Sequence, residues 1–126
     1  MSNEALNTVL SHLVIPVVVI HDAATTPAVT DGLVVGGLPV AEVTFRTDAA
    51  PAAIESMAGD GRITVGAGTV INARQVDEAV SAGASFVVSP GLSREVVDRC
   101  RHHAIPVLPG AITPTEIMAG IDMGLD

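Results

Sequence analysis

The most informative part of the chain is Val40-Ala41-Glu42-Val43-Thr44-Phe45-Arg46-Thr47, because its residues alternate between two chemical classes. Successive side chains of a strand point to opposite faces, so Glu42, Thr44 and Arg46 share one face and the apolar residues between them share the other. Apolar strand-like runs and helix-like segments take turns along the whole chain, which is typical of a parallel sheet covered by helices. Both strand faces of such a sheet are normally apolar, so a charged face indicates either a structural ion pair or a functional site.

Composition limits the class of protein. The 126 residues suffice for a single domain, 1–126, and 48% of them are hydrophobic, which provides a substantial core. Only 2% are aromatic, so we expect a core of valine, alanine, isoleucine and leucine, as in parallel α/β sheets. The net charge of −8 argues against nucleic acid as a partner, because phosphate repels a negative chain and the chain lacks aromatic platforms for stacking bases.

The cellular setting is indicated by one apolar run and one cysteine. Residues 13–20 form the longest apolar run, far shorter than the roughly 20 residues that a membrane-spanning helix needs, and no positive segment precedes it. We therefore expect no membrane partner. The single cysteine, Cys100, cannot form an internal disulfide, and its place in a helix-like segment indicates packing rather than a nucleophile. These features favour a cytoplasmic protein.

The chain divides into five units, each a strand-like run followed by a helix-like segment. The strand-like runs are residues 13–20, 40–46, 63–70, 86–89 and 106–108. Helix starts are predicted at Thr26-Pro27, at Asp48, at Asn72 with Gln75, and at Thr113-Pro114-Thr115-Glu116, and helix stops at Gly36-Gly37 and Gly83. Such units build either a doubly wound sheet or a (β/α)₈ barrel. The polar strand face favours the barrel, whose interior opens toward a mouth at the carboxyl ends of the strands.

Other strand ends point to the same mouth. Thr69 closes the third run, and we expect it near Arg46. Gly66 and Gly68 lie on the other face of that run, where missing side chains let a helix or a ligand approach closely. Pro90 follows the fourth run, where turn geometry and ligand contact both remain open as interpretations. The four histidines have no metal-binding spacing, so no metal site is expected, and Glu116 is better explained by helix capping than by catalysis.

A family resemblance gives these residues a chemistry. Glu42-Val43-Thr44-Phe45-Arg46-Thr47, Val65-Gly66-Ala67-Gly68-Thr69-Val70, Ser89-Pro90-Gly91, Ile105-Pro106-Val107-Leu108-Pro109-Gly110 and Thr113-Pro114-Thr115-Glu116 stand in this order. In order and spacing the chain resembles the bacterial 2-keto-3-deoxy-6-phosphogluconate aldolase family, which includes 4-hydroxy-2-oxoglutarate aldolase. The resemblance implies a class I aldolase on a (β/α)₈ barrel, usually a homotrimer, that splits a 2-keto acid into pyruvate and an aldehyde by a Schiff-base mechanism without a cofactor.

The resemblance also implies roles for single residues. Glu42 matches the glutamate that moves protons, Arg46 and Thr69 match the residues that hold the pyruvyl carboxylate, and Pro90 matches a residue lining the pocket. A guanidinium suits this role because it binds a carboxylate through two parallel hydrogen bonds. Glu42 lies four residues before Arg46, about 13 Å along the strand, and shielding from water is expected to raise its pKa while Arg46 lowers it.

One departure from the family concerns the nucleophile. Class I chemistry needs a lysine amine, and all six basic residues of Lys and Arg type are arginine. In the resembling family that lysine lies on the sixth strand, so we expect this chain to be the first five-eighths of a longer aldolase and to be inactive alone. The alternatives are a real fragment, which would act as a non-catalytic assembly or carboxylate-binding module, and a divergent protein that ends here.

Overall fold

Five parallel strands alternate with helices in the computed structural model, which describes residues 3–125. The strands are β1 (Val17–Val18), β2 (Val40–Thr44), β3 (Thr64–Gly68), β4 (Val87–Ser89) and β5 (Val107–Pro109). The helices are α1 (Asn3–Leu10), α2 (Thr26–Val35), α3 (Ala50–Asp60), α4 (Ala73–Ser81), α5 (Arg94–His102) and α6 (Pro114–Asp122). The predicted succession of five strand–helix units is confirmed, with α1 added before the first strand.

The sheet topology distinguishes between the two predicted architectures. The strands lie side by side in the order β1-β2-β3-β4-β5, and every neighbouring pair is parallel. A doubly wound sheet reverses its strand order at a switch point, whereas this sheet continues in one direction with a helix after each strand. One-directional winding is the arrangement of a (β/α)₈ barrel, of which the chain forms five units.

The two sides of the sheet differ in how they are buried. On the side that we call the helix face, Val43 and Val65 pack with residues of α3, α4 and α5 in the main hydrophobic core. On the opposite side, the inner face, Val40 and Phe86 form a small buried cluster with Val9 of α1. Within β2 the predicted alternation is confirmed, because Val43 lies in the main core whereas Val40 belongs to the inner cluster. Phe45, just after the strand, contacts the main core as predicted.

Strand lengths depart from the apolar runs. The run 13–20 yields only Val17–Val18, because β1 is an outer strand with one pairing neighbour and Leu13 lies in a turn with a φ of 62°. Strand β2 ends at Thr44, so Arg46 lies in the turn beyond it. Within residues 3–125 no helix is long and apolar enough to cross a membrane.

The observed helix starts agree in part with the sequence prediction. Thr113 and Glu116 form the expected capping box of α6, and the Asn72 side chain accepts a hydrogen bond from the Gln75 amide as the cap of α4. The prediction for Thr26 is wrong by one residue, because a 3₁₀ turn at Ala23–Thr25 precedes α2 and places Thr26 inside the helix.

Asp48 is also wrongly predicted as a helix start. Helix α3 begins after Ala49 without any side-chain cap, since a proline in its first turn already supplies the backbone angle that starts a helix. The predicted stops are confirmed: Gly36 is the C-cap of α2, and Gly37 and Gly83 adopt positive φ angles of 79° and 93°.

Candidate active site

Glu42 lies in the middle of β2 on the inner face, half-buried and aligned with Gly66 of β3. Its side chain leans toward the carboxyl ends of the strands and lies directly over Gly68, where a β-carbon would come within 2.6 Å of its Cγ and Cδ atoms. Burial raises the pKa of Glu42, and the positive charge of Arg46 opposes that rise in part. A carboxyl group with a raised pKa can both accept and donate protons near neutral pH.

Arg46 lies at the rim, by which we mean the edge of the sheet at the carboxyl ends of the strands. It is exposed, and its effect on the pKa of Glu42 shows that the two side chains are near enough to interact. Arg46 also lines a polar cavity of about 370 Å³ together with Asp48 and Arg74, whereas Glu42 and Thr69 do not line it. Arg46 therefore stands between the inner face and this outer cavity.

Thr69 follows β3 directly and adopts a φ of 56°, an angle that a β-branched residue rarely takes. Next to it, the Phe45 amide donates a 2.8 Å hydrogen bond to the carbonyl of Gly68. Because Arg46 and Thr69 each follow one end of this bond, both lie at the same part of the rim. Within residues 3–125 no hydrogen bond joins their side chains, so their joint binding of a carboxylate stays a prediction.

Thr44 serves the sheet rather than the site. It is buried, and its hydroxyl donates to the Val18 carbonyl at 3.4 Å, which links β2 to β1.

Pro90 is exposed at the end of β4, two strands away from Glu42. Its backbone packs tightly against Gly110, where a β-carbon would lie 2.9 Å from the carbonyl carbon of Pro90. The Gly110 amide donates to the Ser89 carbonyl at 2.9 Å. This close packing of the loops after β4 and β5 supports the turn interpretation of Pro90, while contact with a ligand remains a prediction.

The larger cavity lies away from Glu42. It has a volume of about 580 Å³ beside β5, the last strand of the sheet, and is lined mainly by apolar residues of β5 and α6, including Val107, Ile117 and Ile121. None of the predicted site residues lines it. We therefore place the candidate site at Glu42 and the adjoining rim.

Some features of the site were missed from sequence. The close approach expected at Gly66 and Gly68 exists, but the groups that approach are the side chains of Phe86 and Glu42 rather than a helix or a ligand. The alternation of glycines with apolar residues along 63–70 was the available signal, and only the register between β2 and β3 identifies the partners.

A second missed feature is an ionic cluster between α4 and α5. Arg99 donates two hydrogen bonds to Asp77, at 2.6 and 2.9 Å, and His103 lies 2.6 Å from the same carboxylate. These contacts lower the pKa of Asp77 to about 2, with the Arg99 hydrogen bonds as the largest cause. The cluster lies on the outside of the helix layer and holds two helices together. His103 thus has a structural partner.

Within residues 3–125 no three side chains of histidine, cysteine, aspartate or glutamate are grouped so as to hold a metal ion. Cys100 is fully buried, and burial raises the pKa of its thiol to about 12. The predicted packing role of Cys100 is confirmed, because a thiol that stays protonated is a poor nucleophile.

Fold and site together define a class of protein. The five parallel strands lie in chain order and form the first five units of a (β/α)₈ barrel. The carboxylate of Glu42 and the guanidinium of Arg46 lie toward the carboxyl ends of the strands, where barrel enzymes place their active sites. A family model for KDPG and KHG aldolase matches residues 6–126. The chain belongs to this aldolase family.

Individual relatives agree with the family assignment. The 2-dehydro-3-deoxy-phosphogluconate aldolase of Zymomonas mobilis is 43% identical over 113 residues, which cover 90% of this chain and 54% of that protein. The KHG/KDPG aldolase of Escherichia coli K12 is 41% identical over 113 residues, covering 89% of this chain and 53% of that protein. The chain thus spans about half the length of the curated relatives it matches.

Solved structures match the fold closely. A crystal structure of the Zymomonas mobilis aldolase with 3-phosphoglycerate superimposes with a TM-score of 0.84 over 89% of this chain and 54% of that one, at 43% identity. The KDPG aldolase of Legionella pneumophila, in which pyruvate was captured at low pH as a covalent carbinolamine intermediate, gives a TM-score of 0.83 at 39% identity over 87% of this chain and 54% of that one. The barrel predicted from the sequence is confirmed.

Proposed function

We propose that this chain carries the acid–base and carboxylate-binding part of a class I aldolase site. The reaction would split 2-keto-3-deoxy-6-phosphogluconate into pyruvate and glyceraldehyde 3-phosphate, or 4-hydroxy-2-oxoglutarate into pyruvate and glyoxylate. The observation that carries the proposal is the half-buried Glu42 with its raised pKa, held near Arg46 in a chain of this aldolase family. The covalent pyruvate adduct in the Legionella relative supports the same chemistry.

The chemistry requires a group that moves protons. A neutral lysine amine adds to the C2 ketone, and loss of water from the carbinolamine gives an iminium. The C3–C4 bond then breaks, its electron pair enters the iminium to form an enamine, and the C4 hydroxyl loses its proton as the aldehyde forms. Protonation of the enamine at C3 and hydrolysis release pyruvate and the amine. We assign the proton transfers to Glu42, whose raised pKa suits a group that alternates between acid and base.

Substrate binding is assigned to the rim. Arg46 would bind the pyruvyl carboxylate through two parallel hydrogen bonds, and the Thr69 hydroxyl would donate a third. The strained backbone of Thr69 supports this role, because residues held at rare angles cluster at functional sites. Pro90 would line the far side of the pocket, one strand beyond β3.

The iminium-forming lysine must come from elsewhere, since the chain contains none. We propose that it belongs to a part of the protein outside these 126 residues, and that the chain alone is inactive. We further propose a cytoplasmic homo-oligomer, a trimer by family resemblance, that needs no cofactor.

A second candidate function is a non-catalytic assembly or carboxylate-binding module. The absence of lysine favours it, and so does the open inner face of β1, where Val17 is 61% exposed and Val19 is 39% exposed. Such apolar surface in a folded protein marks a place where another element packs. The two candidates differ in whether the complete protein releases pyruvate.

The test is an assay of pyruvate release by the full-length parent with each of the two substrates. Arg46→Ala is expected to weaken pyruvate binding by about 10- to 100-fold, because a charge-assisted hydrogen bond contributes roughly 1.5–3 kcal/mol. Arg62→Ala is the charge-matched control, since Arg62 precedes β3 at the opposite end of the strands and pairs with Asp31. Unchanged pyruvate affinity in Arg46→Ala would exclude the carboxylate role.

A further inference from the structure

The backbone conformation of Gly68 does not explain why this residue is a glycine. It ends strand β3, adopts no positive φ angle and accepts a hydrogen bond from the Phe45 amide through its carbonyl. Any residue can adopt an extended conformation in a strand, and glycine there costs stability because it restricts the unfolded chain less. The reason for the glycine must therefore lie in the space beside it.

That space is filled by a single side chain. The three atoms nearest to a β-carbon on Gly68 all belong to Glu42, and its Cγ and Cδ atoms would both lie 2.6 Å away. Non-bonded carbon atoms attract one another at about 3.5–4.0 Å and repel strongly at much shorter separations. An alanine at position 68 and the present conformation of Glu42 thus exclude each other.

Phe86 explains why Glu42 lies over Gly68 rather than over its own neighbour in the sheet. The register aligns Glu42 with Gly66, but the ring of Phe86 occupies that position and would lie 2.5 Å, at its Cδ2 atom, from a β-carbon on Gly66. Phe86 is fully buried and packs against Val9 and Val40. Glu42 therefore extends toward the rim, and only the missing side chain of Gly68 leaves room for it there.

We propose that Gly68 is a positioning residue. Because it has no side chain, it leaves the space in which the carboxyl group of Glu42 lies beside the rim and within reach of the charge of Arg46. The two glycines then have separate tasks: Gly66 accommodates Phe86, and Gly68 accommodates Glu42. The inference deepens the proposed function and rests on it in one respect, namely that Glu42 is the proton-transferring group.

The first test is a carboxyl-carbon NMR titration of Glu42 in the full-length parent and in its Gly68→Ala variant. Gly68→Ala is expected to push the carboxyl group toward water, so the pKa of Glu42 falls toward its ordinary value. Gly91→Ala is the matched control, because Gly91 also lies near the carboxyl end of a strand and has no atom within 4 Å of a β-carbon. A pKa that Gly68→Ala leaves unchanged or raises would overturn the proposal.

The second test is a double-mutant cycle in chemical denaturation. Gly68→Ala is expected to change the denaturation midpoint less favourably when Glu42 is present than in the Glu42→Ala background, because the obstructing atoms are those of Glu42 alone. An equal change of the denaturation midpoint with and without the Glu42 side chain would contradict the positioning role of Gly68. Should Gly68→Ala fail to fold, a folded double variant supports the proposal and an unfolded one overturns it.

Neither readout depends on catalysis. If Glu42→Gln keeps full turnover in the full-length parent, the proposed function is wrong, while titration and denaturation still test the positioning role of Gly68. If those two tests give negative results and Glu42→Gln is inactive, the proposed function stands and Gly68 has no positioning role.

Discussion

The two faces of the sheet are built on different principles. The helix face is closed by its own helices, and Val43, Ile54 and Val65 on that side are almost completely buried. On the inner face Val9, Val40 and Phe86 form a small buried cluster, while Val17 remains exposed. The helix face is a closed hydrophobic core, whereas the inner face is a partly open surface that carries the carboxylate of Glu42.

This difference in burial indicates where a barrel can hold a reactive group. Burial of unpaired polar atoms costs free energy, and the main core on the helix face is built mainly from apolar side chains. The inner face near the rim is only half-buried, and there Glu42 keeps a raised pKa without a partner that neutralises it completely. Stability and chemistry are thus assigned to opposite sides of the same strand.

The largest effect is expected from the inner face in catalysis. Glu42→Gln in the full-length parent should lower kcat by about 10²- to 10⁴-fold, because an amide cannot transfer the protons of the reaction. Its unfolding free energy should change little by comparison. Steady-state kinetics and denaturation of the same preparation check both statements, and wild-type turnover would remove Glu42 from the mechanism.

On the helix face the largest effect concerns stability. Ile54→Ala should lower the unfolding free energy by about 2–5 kcal/mol, because it leaves a cavity in a fully buried position. The exposed Ile71 provides the same substitution outside the core, and Ile71→Ala should stay within about 0.5 kcal/mol of wild type. Equal losses for the two variants would show that the helix face is not a closed core.

Valine-to-threonine substitutions compare the two faces directly. Val43 and Val17 lie on neighbouring strands, the first buried on the helix face and the second 61% exposed on the inner face. Val43→Thr should cost about 1–3 kcal/mol, because the buried hydroxyl lacks a partner, whereas Val17→Thr should cost less than about 0.5 kcal/mol. A larger cost at Val17 would mean that something covers the inner face in solution.

The smallest effects are opposite pH dependences. Asp77 has its pKa lowered to about 2 by Arg99 and His103, so its contribution to stability is complete above its unfolded value of 3.8 and is lost as the pH falls toward 2. Glu42 has a raised pKa, so the folded state binds the extra proton and stability decreases as the pH rises through the interval above 4.5.

Denaturation as a function of pH separates the two contributions. Asp77→Asn should flatten the acid limb of the stability curve alone, and Glu42→Gln should flatten only the interval above 4.5. The opposite assignment, or a curve that neither substitution changes, would contradict the pKa directions.

Much of the fold was predictable from local signals. Alternation in residues 40–46 assigned both faces of β2 correctly, and the Thr113 capping box marked the start of α6. Asp48 was misread because a carboxylate before an alanine-rich helix has the same local pattern whether or not it caps. β1 is shorter than the apolar run 13–20 because only Val17 and Val18 pair with β2, and the hydrophobicity of the run does not indicate which residues pair.

The site was predictable in its residues but not in its arrangement. Glu42 and Arg46 were identified from strand alternation and family resemblance, whereas the place of the Glu42 carboxyl group depends on Phe86 and Gly68, which come from two other strand segments. The left-handed backbone of Thr69 was also invisible, since threonine is not a residue that signals a positive φ.

The most direct measurement is an intact mass spectrum of the full-length parent after incubation with pyruvate and borohydride, which reduces an iminium to a stable amine. We expect a species heavier than 12.8 kDa that carries one reduced pyruvyl group. A full-length protein that remains unmodified under these conditions would contradict the aldolase assignment and leave the carboxylate-binding module in its place.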